Sequence, residues 1–475
     1  MSYAPYHWHV ESVWAGRTPN AAAMARAPGI SAADMALICL FLLGLYTNYT
    51  IWLSTKVPFP SAPAGIAGVI LLWRRRDAIT PRAFGTLIGV MFLYVVSILC
   101  APNLTFLSRR LNGLIQLTYS IVIGYALFLT VIQARRSQIT GLFLGISLFI
   151  VVGCLLETYG GLRPISDSVR QVIYNRGVYE NDLRDMLLYH RVRPKFFASE
   201  PASVTFCYTL FTFVWFVVSR WRFKLLLYVV LVAVGIFAMP GPTLLLLLAL
   251  ILPYMLFLAS RQNGRLNVAK LLKVAIVSVF FLAAFFVLAQ TVFSERFKQA
   301  QSGNDPSFFY RVRGPAIAAK EIVRDFPLQG AGLTGEPFIE QRVVNIYVQS
   351  PAYSVGWQVV SPATELLINY FWLHWIYLGA GFGVLIGAAL TRWFFVIGIP
   401  SAAFCWMTWA ILGQASGAYV GPTCWAVLFL SGAAAVLHER APDPAEDRRR
   451  YSTSSQDLIA RVQNIQHGPQ LEQAR

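Results

Sequence analysis

The chain has 475 residues, of which 56% are hydrophobic and 13% are charged, and its mean hydropathy is +0.56. Soluble domains carry about 25% charged residues, so this composition excludes a soluble protein and indicates a polytopic membrane protein. The net charge of +17 is typical of Lys and Arg gathered on cytoplasmic loops, and no nucleic-acid partner is expected. The six cysteines all fall in apolar runs, with no zinc-like spacing or disulfide framework.

Apolar runs suited to membrane helices follow one another along most of the chain. A hydrocarbon layer of roughly 30 Å takes about 20 apolar residues. Twelve runs approach that length, near residues 33–53, 57–73, 83–101, 113–132, 139–156, 197–219, 224–239, 242–259, 272–291, 374–391, 394–412 and 420–437. We therefore predict an all-α integral membrane protein of about twelve transmembrane helices, with residues 31–437 as its membrane domain.

The charges of the short loops predict the orientation. The basic loops all fall on one side, at residues 74–82, 134–138, 220–224 and 261–273. Cytoplasmic loops are the ones enriched in Lys and Arg, so that side is the cytoplasm, although Arg109 and Arg110 depart from the pattern. The N-terminal tail, residues 1–30, and the polar basic tail, residues 438–475, are then both cytoplasmic.

Two long segments, residues 157–196 and 292–362, fall on the outer side between spans. Loops of this length are usually functional or disordered, and their aromatic and aliphatic content favours function. The spans show no internal repeat and no row of ionisable residues, which disfavours a transporter. The exceptions, Glu157, Glu200, Glu365 and the deeper His374, cluster toward the outer face.

The first outer loop, "GVYENDLRDMLLYHRVRPKFFASEP", interleaves charges with aromatic rings. Rings can stack on sugars, carboxylates can accept hydroxyl hydrogen bonds, and arginines can hold phosphate in a bidentate fork. An ion-paired surface helix is the alternative. The candidate residues here are Tyr179, Asp182, His190, Arg191, Arg193 and Lys195.

Glu200 and Pro201 mark the start of the next span. Proline suits the first helical position, and a carboxylate before it is stabilised at a helix N-terminus. We expect Glu200 either to cap this helix or to anchor a cationic or hydroxyl group.

The second outer loop contains "YRVRGPAIAAKEIVRDFPLQGAGL". Gly314 and Pro315 predict a helix start just after Arg311 and Arg313, where free N–H groups would favour a phosphate. Lys320 and Arg324 lie four residues apart on one face of this helix. The four cations are expected to form one cationic surface, with a solvated or lipid-headgroup-binding face as the alternative.

"RPKFFASEPAS" resembles the arginine-to-"SEPS" segment of some Wzy-type exopolysaccharide polymerases. "YRVRGPAIAAKEIVRDFPLQGAGL" is similar to a stretch shared by these polymerases and O-antigen ligases. The resemblance implies a GT-C-like architecture with both long loops in the periplasm of a bacterial inner membrane. It also implies metal-independent, inverting glycosyl transfer from an undecaprenyl-diphosphate-linked oligosaccharide, with no cofactor, in contact with membrane lipids and with a chain-length regulator or export complex as a further partner.

The resemblance further implies that the outer-loop arginines bind the diphosphate, without choosing between Arg311 and Arg313. Many ligases carry a His-Asn pair where this chain reads "VVSPATELLINY", and the missing histidine favours a polymerase over a ligase. The acceptor-activating base is left open among Glu200, Glu365 and His190. A ligase and a transporter or flippase are the alternative functions.

Overall fold

The computed structural model describes residues 29–54, 57–174, 182–262, 265–266, 268–303, 305–350, 362–415 and 417–440. Within these residues the chain is helical apart from two short antiparallel hairpins, which pair Ile51–Ser54 with Val57–Phe59 and Arg261–Gln262 with Arg265–Leu266. The predicted helical fold class is confirmed, and the predicted Tyr179 lies outside the described residues.

Every one of the twelve apolar runs contains a helix. The helices are, in chain order, α1 (Ala32–Thr47), α2 (Ala62–Arg74), α3 (Pro81–Leu99), α4 (Leu107–Gln133), α5 (Arg136–Tyr159), α6 (Arg163–Ile173), α7 (Asp182–Tyr189), α8 (Pro201–Val218), α9 (Lys224–Ala238), α10 (Leu246–Tyr254), α11 (Val268–Thr291), α12 (Ser294–Gln301), α13 (Pro306–Phe308), α14 (Gly314–Asp325), α15 (Glu336–Val348), α16 (Ala363–Leu366), α17 (Tyr370–Val396), α18 (Ala402–Gly413) and α19 (Pro422–Glu439). Both long outer segments therefore contain several helices of their own.

Length and apolar character separate the helices of the membrane domain. In the part of the chain that the structure describes, seven segments are long and apolar enough to cross a membrane: Pro81–Leu99, Leu104–Gln133, Arg136–Tyr159, Pro201–Val218, Pro242–Ala259, Val274–Thr291 and Tyr370–Val396. Four more apolar helices, α1, α2, α9 and α18, have only 10–17 residues. Within the described residues, seven helices are thus long and apolar enough to cross a membrane, whereas twelve spans were expected.

The helix that follows Glu200 lies at the centre of the bundle. Helix α8 is apolar on all sides, as expected for a helix buried among others. Of its residues 89% are buried inside the protein, whereas only 17% of residues Val274–Thr291 in α11 are. Pro201 occupies the first helical position, as predicted. Glu200 is consequently fixed at one end of the protein core.

Helix α17 is broken at Gly379, whose φ is 64°. The segment 327–332 pairs with the backbone freed at the break. The N–H of Ala331 donates to the carbonyl of Ile376 at 2.8 Å, and the N–H of Ala380 donates to the carbonyl of Pro327 at 2.7 Å. Irregular backbone at membrane depth is tolerated where protein groups satisfy it in this way.

Buried polar side chains surround this break. His374 Nδ1 lies 3.0 Å from the hydroxyl of Tyr419, which in turn lies 2.5 Å from the hydroxyl of Tyr94. Tyr377, also just before the break, donates a hydrogen bond to the buried carboxylate of Glu336. Both ring nitrogens of His374 are therefore hydrogen-bonded to groups of the protein itself.

We predict that Gly330→Ala destabilises the protein. Gly330 has a φ of 61°, and an added Cβ would lie 2.5 Å from both the Gly379 nitrogen and the Ile376 oxygen. Neither backbone atom can move aside, and a non-glycine residue in this region costs about 1–3 kcal/mol before any clash. The apparent melting temperature in detergent should fall.

Gly387→Ala, in the same broken helix, is the matched control, because no atom lies within 4 Å of its added Cβ. Alanine is the better helix former, so this variant should melt at or slightly above the parental temperature. Equal melting of both variants would contradict the proposed packing at the break.

Candidate functional site

The segment that joins α7 to α8 has a strained backbone. Three of its residues, none of them glycine, have positive φ: His190 at 54°, Phe196 at 34° and Phe197 at 64°. Such residues cost about 1–3 kcal/mol each and persist where the surroundings over-determine them. The contacts that hold this segment are therefore informative about its role.

A buried carboxylate holds the middle of the segment. Glu157, at the end of α5, accepts hydrogen bonds from the backbone N–H groups of Lys195, at 2.9 Å, and Phe196. The Ser166 hydroxyl donates to the same carboxylate at 3.1 Å and accepts from the N–H of Phe197. The Glu157 carboxylate is thus occupied by groups of the protein itself.

A buried guanidinium holds the end of the segment. Arg170, on α6, donates to the carbonyls of Ala198 at 2.7 Å and Ser199 at 3.0 Å. It also forms an ion pair with Asp167 at 2.6 Å. These bonds fix the backbone immediately before Glu200.

The three predicted cations of the segment all have protein partners. Arg193 pairs with the buried carboxylate of Asp185 at 2.8 Å, and Lys195 pairs with Asp182 at 3.1 Å. Arg191 donates to the hydroxyl of Tyr159 at 2.7 Å. The alternative of an ion-paired loop therefore fits Lys195 and Asp182 well, and His190 is exposed beside them.

Glu200 occupies the N-cap position of α8, but its side chain makes no capping hydrogen bond. Of the two expected roles, capping by the carboxylate is therefore not observed, and the Glu200 backbone carbonyl accepts from the N–H of Ser203. The side chain is half-buried and forms no ion pair within the described residues. Its carboxylate is available to a ligand.

Helix α14 begins at Gly314 with Pro315 in its first turn, as predicted, but it continues an earlier helical segment, so its N-terminus is not free. The helical segment begins at Pro306, because the carboxylate of Asp305 accepts from the N–H groups of Ser307 and Phe308. It continues through a π-helical turn at Phe309–Arg313 into α14, and the N–H of Gly314 bonds to the carbonyl of Phe309. No free helix N-terminus faces a phosphate at this point.

The π-helical turn presents Arg311 and is anchored by Asn369. Pro315 lacks the N–H that a regular helix would offer to the carbonyl of Arg311. The amide of Asn369 donates to that carbonyl at 2.6 Å, while its oxygen caps α17. Single π-turns of this kind are frequent at functional sites.

The Arg311 side chain is a half-buried cation for which the described residues provide no hydrogen-bond or ion-pair partner. Burial lowers the pKa of this guanidinium, and the nearby positive charges of Arg193 and Arg296 act in the same direction. Arginine nevertheless remains charged in proteins, so an anion here would relieve a real electrostatic cost.

Glu200 opposes that cost, because its negative charge raises the pKa of Arg311. The two side chains interact electrostatically, and neither forms an ion pair with another residue in the described part of the chain. The two outer loops thus meet here. The Arg184 guanidinium donates to the Ser307 hydroxyl across them at 3.0 Å.

The remaining predicted residues lie elsewhere on the surface. Arg313, Lys320 and Arg324 are exposed, and Arg324 pairs with Asp325 at 3.2 Å. Glu365 is exposed on the short helix α16. The single cationic surface expected from the sequence is therefore divided, since Arg311 faces Glu200 while the others face outward.

What the site offers to a ligand is a free cation beside a free carboxylate. Within the described ranges no group of three or more His, Cys, Asp or Glu side chains could hold a metal ion. A guanidinium can bind phosphate oxygens through two parallel hydrogen bonds, and a carboxylate can accept the proton of a hydroxyl. The arrangement thus suits a phosphate-bearing ligand and a hydroxyl group side by side.

Sequence reasoning missed the residues that support this site. Asn369, Arg170 and Asp185 were not singled out, although the Asp305–Pro306 pair carries the usual signature of a helix start. Comparison with known proteins adds no relative, since no protein-family model and no curated protein matches the chain.

We predict that Glu157→Gln loosens the segment before α8. Only one amide oxygen can then accept from the backbone, and the NH2 group faces an N–H donor. A lost charged hydrogen bond costs about 1.5–3 kcal/mol, so the melting temperature should fall and the amides of residues 195–197 should exchange faster. Glu340→Gln, at an exposed site, should change neither. Unchanged exchange in Glu157→Gln would contradict this role.

Proposed function

We propose that the chain is a membrane polysaccharide polymerase that joins undecaprenyl-diphosphate-linked oligosaccharide repeat units. The observation that carries the proposal is the unpaired Arg311 beside the free carboxylate of Glu200. The resemblance of both loop segments to Wzy-type polymerases supplies the donor class. The proposed reaction is metal-independent glycosyl transfer. Arg311 would bind the diphosphate in it, and Glu200 would accept the proton of the acceptor hydroxyl.

In this mechanism Arg311 binds the donor diphosphate and stabilises the charge that develops on it. The bond between the anomeric carbon and the diphosphate oxygen breaks, and its electron pair leaves with the diphosphate. The acceptor hydroxyl oxygen bonds to that carbon and gives its proton to Glu200. Fixed cations aimed at developing charge are a large source of catalysis, and a positioned base contributes about 10²- to 10⁴-fold.

The proposal includes the membrane topology. In this topology the four shorter apolar helices and α19 also cross the membrane, in addition to the seven long apolar helices, which gives about twelve spans. The basic short loops then face the cytoplasm of a bacterial inner membrane, both tails are cytoplasmic, and the Arg311 site faces the periplasm. A chain-length regulator or export complex would receive the product.

A ligase that transfers a finished glycan to another acceptor shares the donor and the same cation. Deletion of the gene separates the two. Loss of a polymerase leaves single repeat units on the normal acceptor, whereas loss of a ligase accumulates undelivered lipid-linked polymer.

A transporter is favoured by one observation, the break in α17 at Gly379. Broken helices near the middle of a membrane often build transporter binding sites. Here segment 327–332 and the surrounding side chains satisfy the break, so it is occupied by the protein itself. If purified protein in liposomes moves lipid-linked repeat units without forming a glycosidic bond, the polymerase proposal fails.

We predict that Arg311→Lys lowers polymer formation about 10- to 150-fold, because lysine keeps the charge but loses one of two charge-assisted bonds worth roughly 1.5–3 kcal/mol each. Arg311→Ala should lose more. Turnover of purified lipid-linked repeat units measures both. Arg313→Ala tests the second arginine of the resemblance and should retain most activity, since its side chain is exposed.

Lys298→Ala is the matched control, because Lys298 is an exposed cation in the same outer segment and pairs only with Glu295 among the described residues. All variants must remain monodisperse. Parental turnover by Arg311→Ala would move the diphosphate site elsewhere.

A further inference from the structure

A crevice of about 480 Å³ opens beside the Arg311 site. It lies where the ends of α7 and α9 meet the junction of α11 and α12. Its volume falls within the range of roughly 300–1,000 Å³ that is usual for small-molecule sites.

The crevice is lined by apolar side chains on two sides and by charged side chains, Arg191, Glu295 and Arg296, at its rim and end. Ile236 and Phe237 line one side and Val292 and Phe293 the other. Phe237 and Val292 are 57% and 51% exposed, and α11 presents most of its apolar surface outward. A hydrocarbon chain would therefore meet apolar side chains along this opening.

The inner end of the crevice carries hydrogen-bond donors without acceptors. Arg296 is only 6% exposed, and its Nη1 pairs with Asp305, but its buried Nε has no partner within the described residues. The buried hydroxyl of Tyr189 likewise has none there. Both residues line the crevice, and an acceptor-rich ligand held there would satisfy these two donors.

Tyr189 and Arg296 also connect the crevice to the Arg311 site. The Arg296 guanidinium lies 5.5 Å from the centre of the Tyr189 ring, and both groups act electrostatically on Arg311. Apolar walls that lead to buried donors and then to a free cation match an amphiphile with a hydrocarbon chain and an anionic head.

We propose that this crevice binds the lipid carrier of a diphosphate-linked substrate, which enters the site sideways from the bilayer between α9 and α11. The first part of the hydrocarbon chain lies between Ile236 and Phe293. The phosphate nearest to that chain accepts hydrogen bonds from Arg296 and Tyr189. The choice of a carrier lipid rests on the proposed function, because a bilayer phospholipid has the same chemistry.

The test is binding of a polyprenyl diphosphate to the purified full-length protein, measured by ligand retention in native mass spectrometry. Tyr189→Phe keeps the ring beneath the arginines and removes only the orphaned hydroxyl, so it should fold normally and bind about tenfold more weakly. Ile236→Trp fills the crevice and should weaken binding at least as much. Val279→Trp, at a site 66% exposed on α11 outside the crevice lining, should bind like the parent.

Inorganic pyrophosphate and phosphatidylglycerol distinguish the possible occupants. The proposal requires both to bind more weakly than the polyprenyl diphosphate. Equal binding of phosphatidylglycerol would overturn the carrier assignment, and parental binding by both Tyr189→Phe and Ile236→Trp would overturn the site.

This assay needs no glycosyl transfer, so the two proposals can fail separately. Carrier binding in the crevice by a protein that never forms polymer would sink the proposed function alone. Polymer formation that is unaffected in Ile236→Trp and Tyr189→Phe would sink the crevice alone.

Discussion

The geometry of the site depends on the buried carboxylate of Glu157. It accepts hydrogen bonds from the backbone N–H groups of Lys195 and Phe196 and from the hydroxyl of Ser166, and it thereby holds a strained turn in place. A buried charge is tolerated only when it is hydrogen-bonded in this way. Because this turn leads directly into the central helix α8, Glu157 fixes the place from which Glu200 faces Arg311.

The distribution of ion pairs separates supporting cations from a cation free to bind. Arg193 and Arg296 each lie beside a buried aspartate, Asp185 or Asp305, and stabilise the loops. Arg311 is left without such a partner by a turn whose own carbonyl is held by Asn369. The Arg311 guanidinium thus has no ion-pair partner among the described residues at a place where burial opposes its charge, and an anionic ligand would compensate for that.

The sequence predicted the helical class, the positions of the apolar helices and the start of α8 at Pro201, because these follow from local hydrophobicity and helix-start chemistry. It did not predict the break at Gly379 or the π-helical turn before Gly314, because each depends on a distant segment that satisfies freed backbone groups. The approach of Arg311 to Glu200 was equally hidden, since it arises from packing between two loops. Pro315 did carry a signal, since its missing N–H requires another donor for the Arg311 carbonyl.

The central claim is that Arg311, which faces Glu200, binds the donor diphosphate. A structure determined with a bound polyprenyl diphosphate tests this most directly. The account predicts phosphate oxygens within hydrogen-bond distance of the Arg311 guanidinium, about 2.7–2.9 Å, with the Glu200 carboxylate facing the bound diphosphate. A diphosphate bound at Arg313, Lys320 or Arg324, with Arg311 left unliganded, would contradict it.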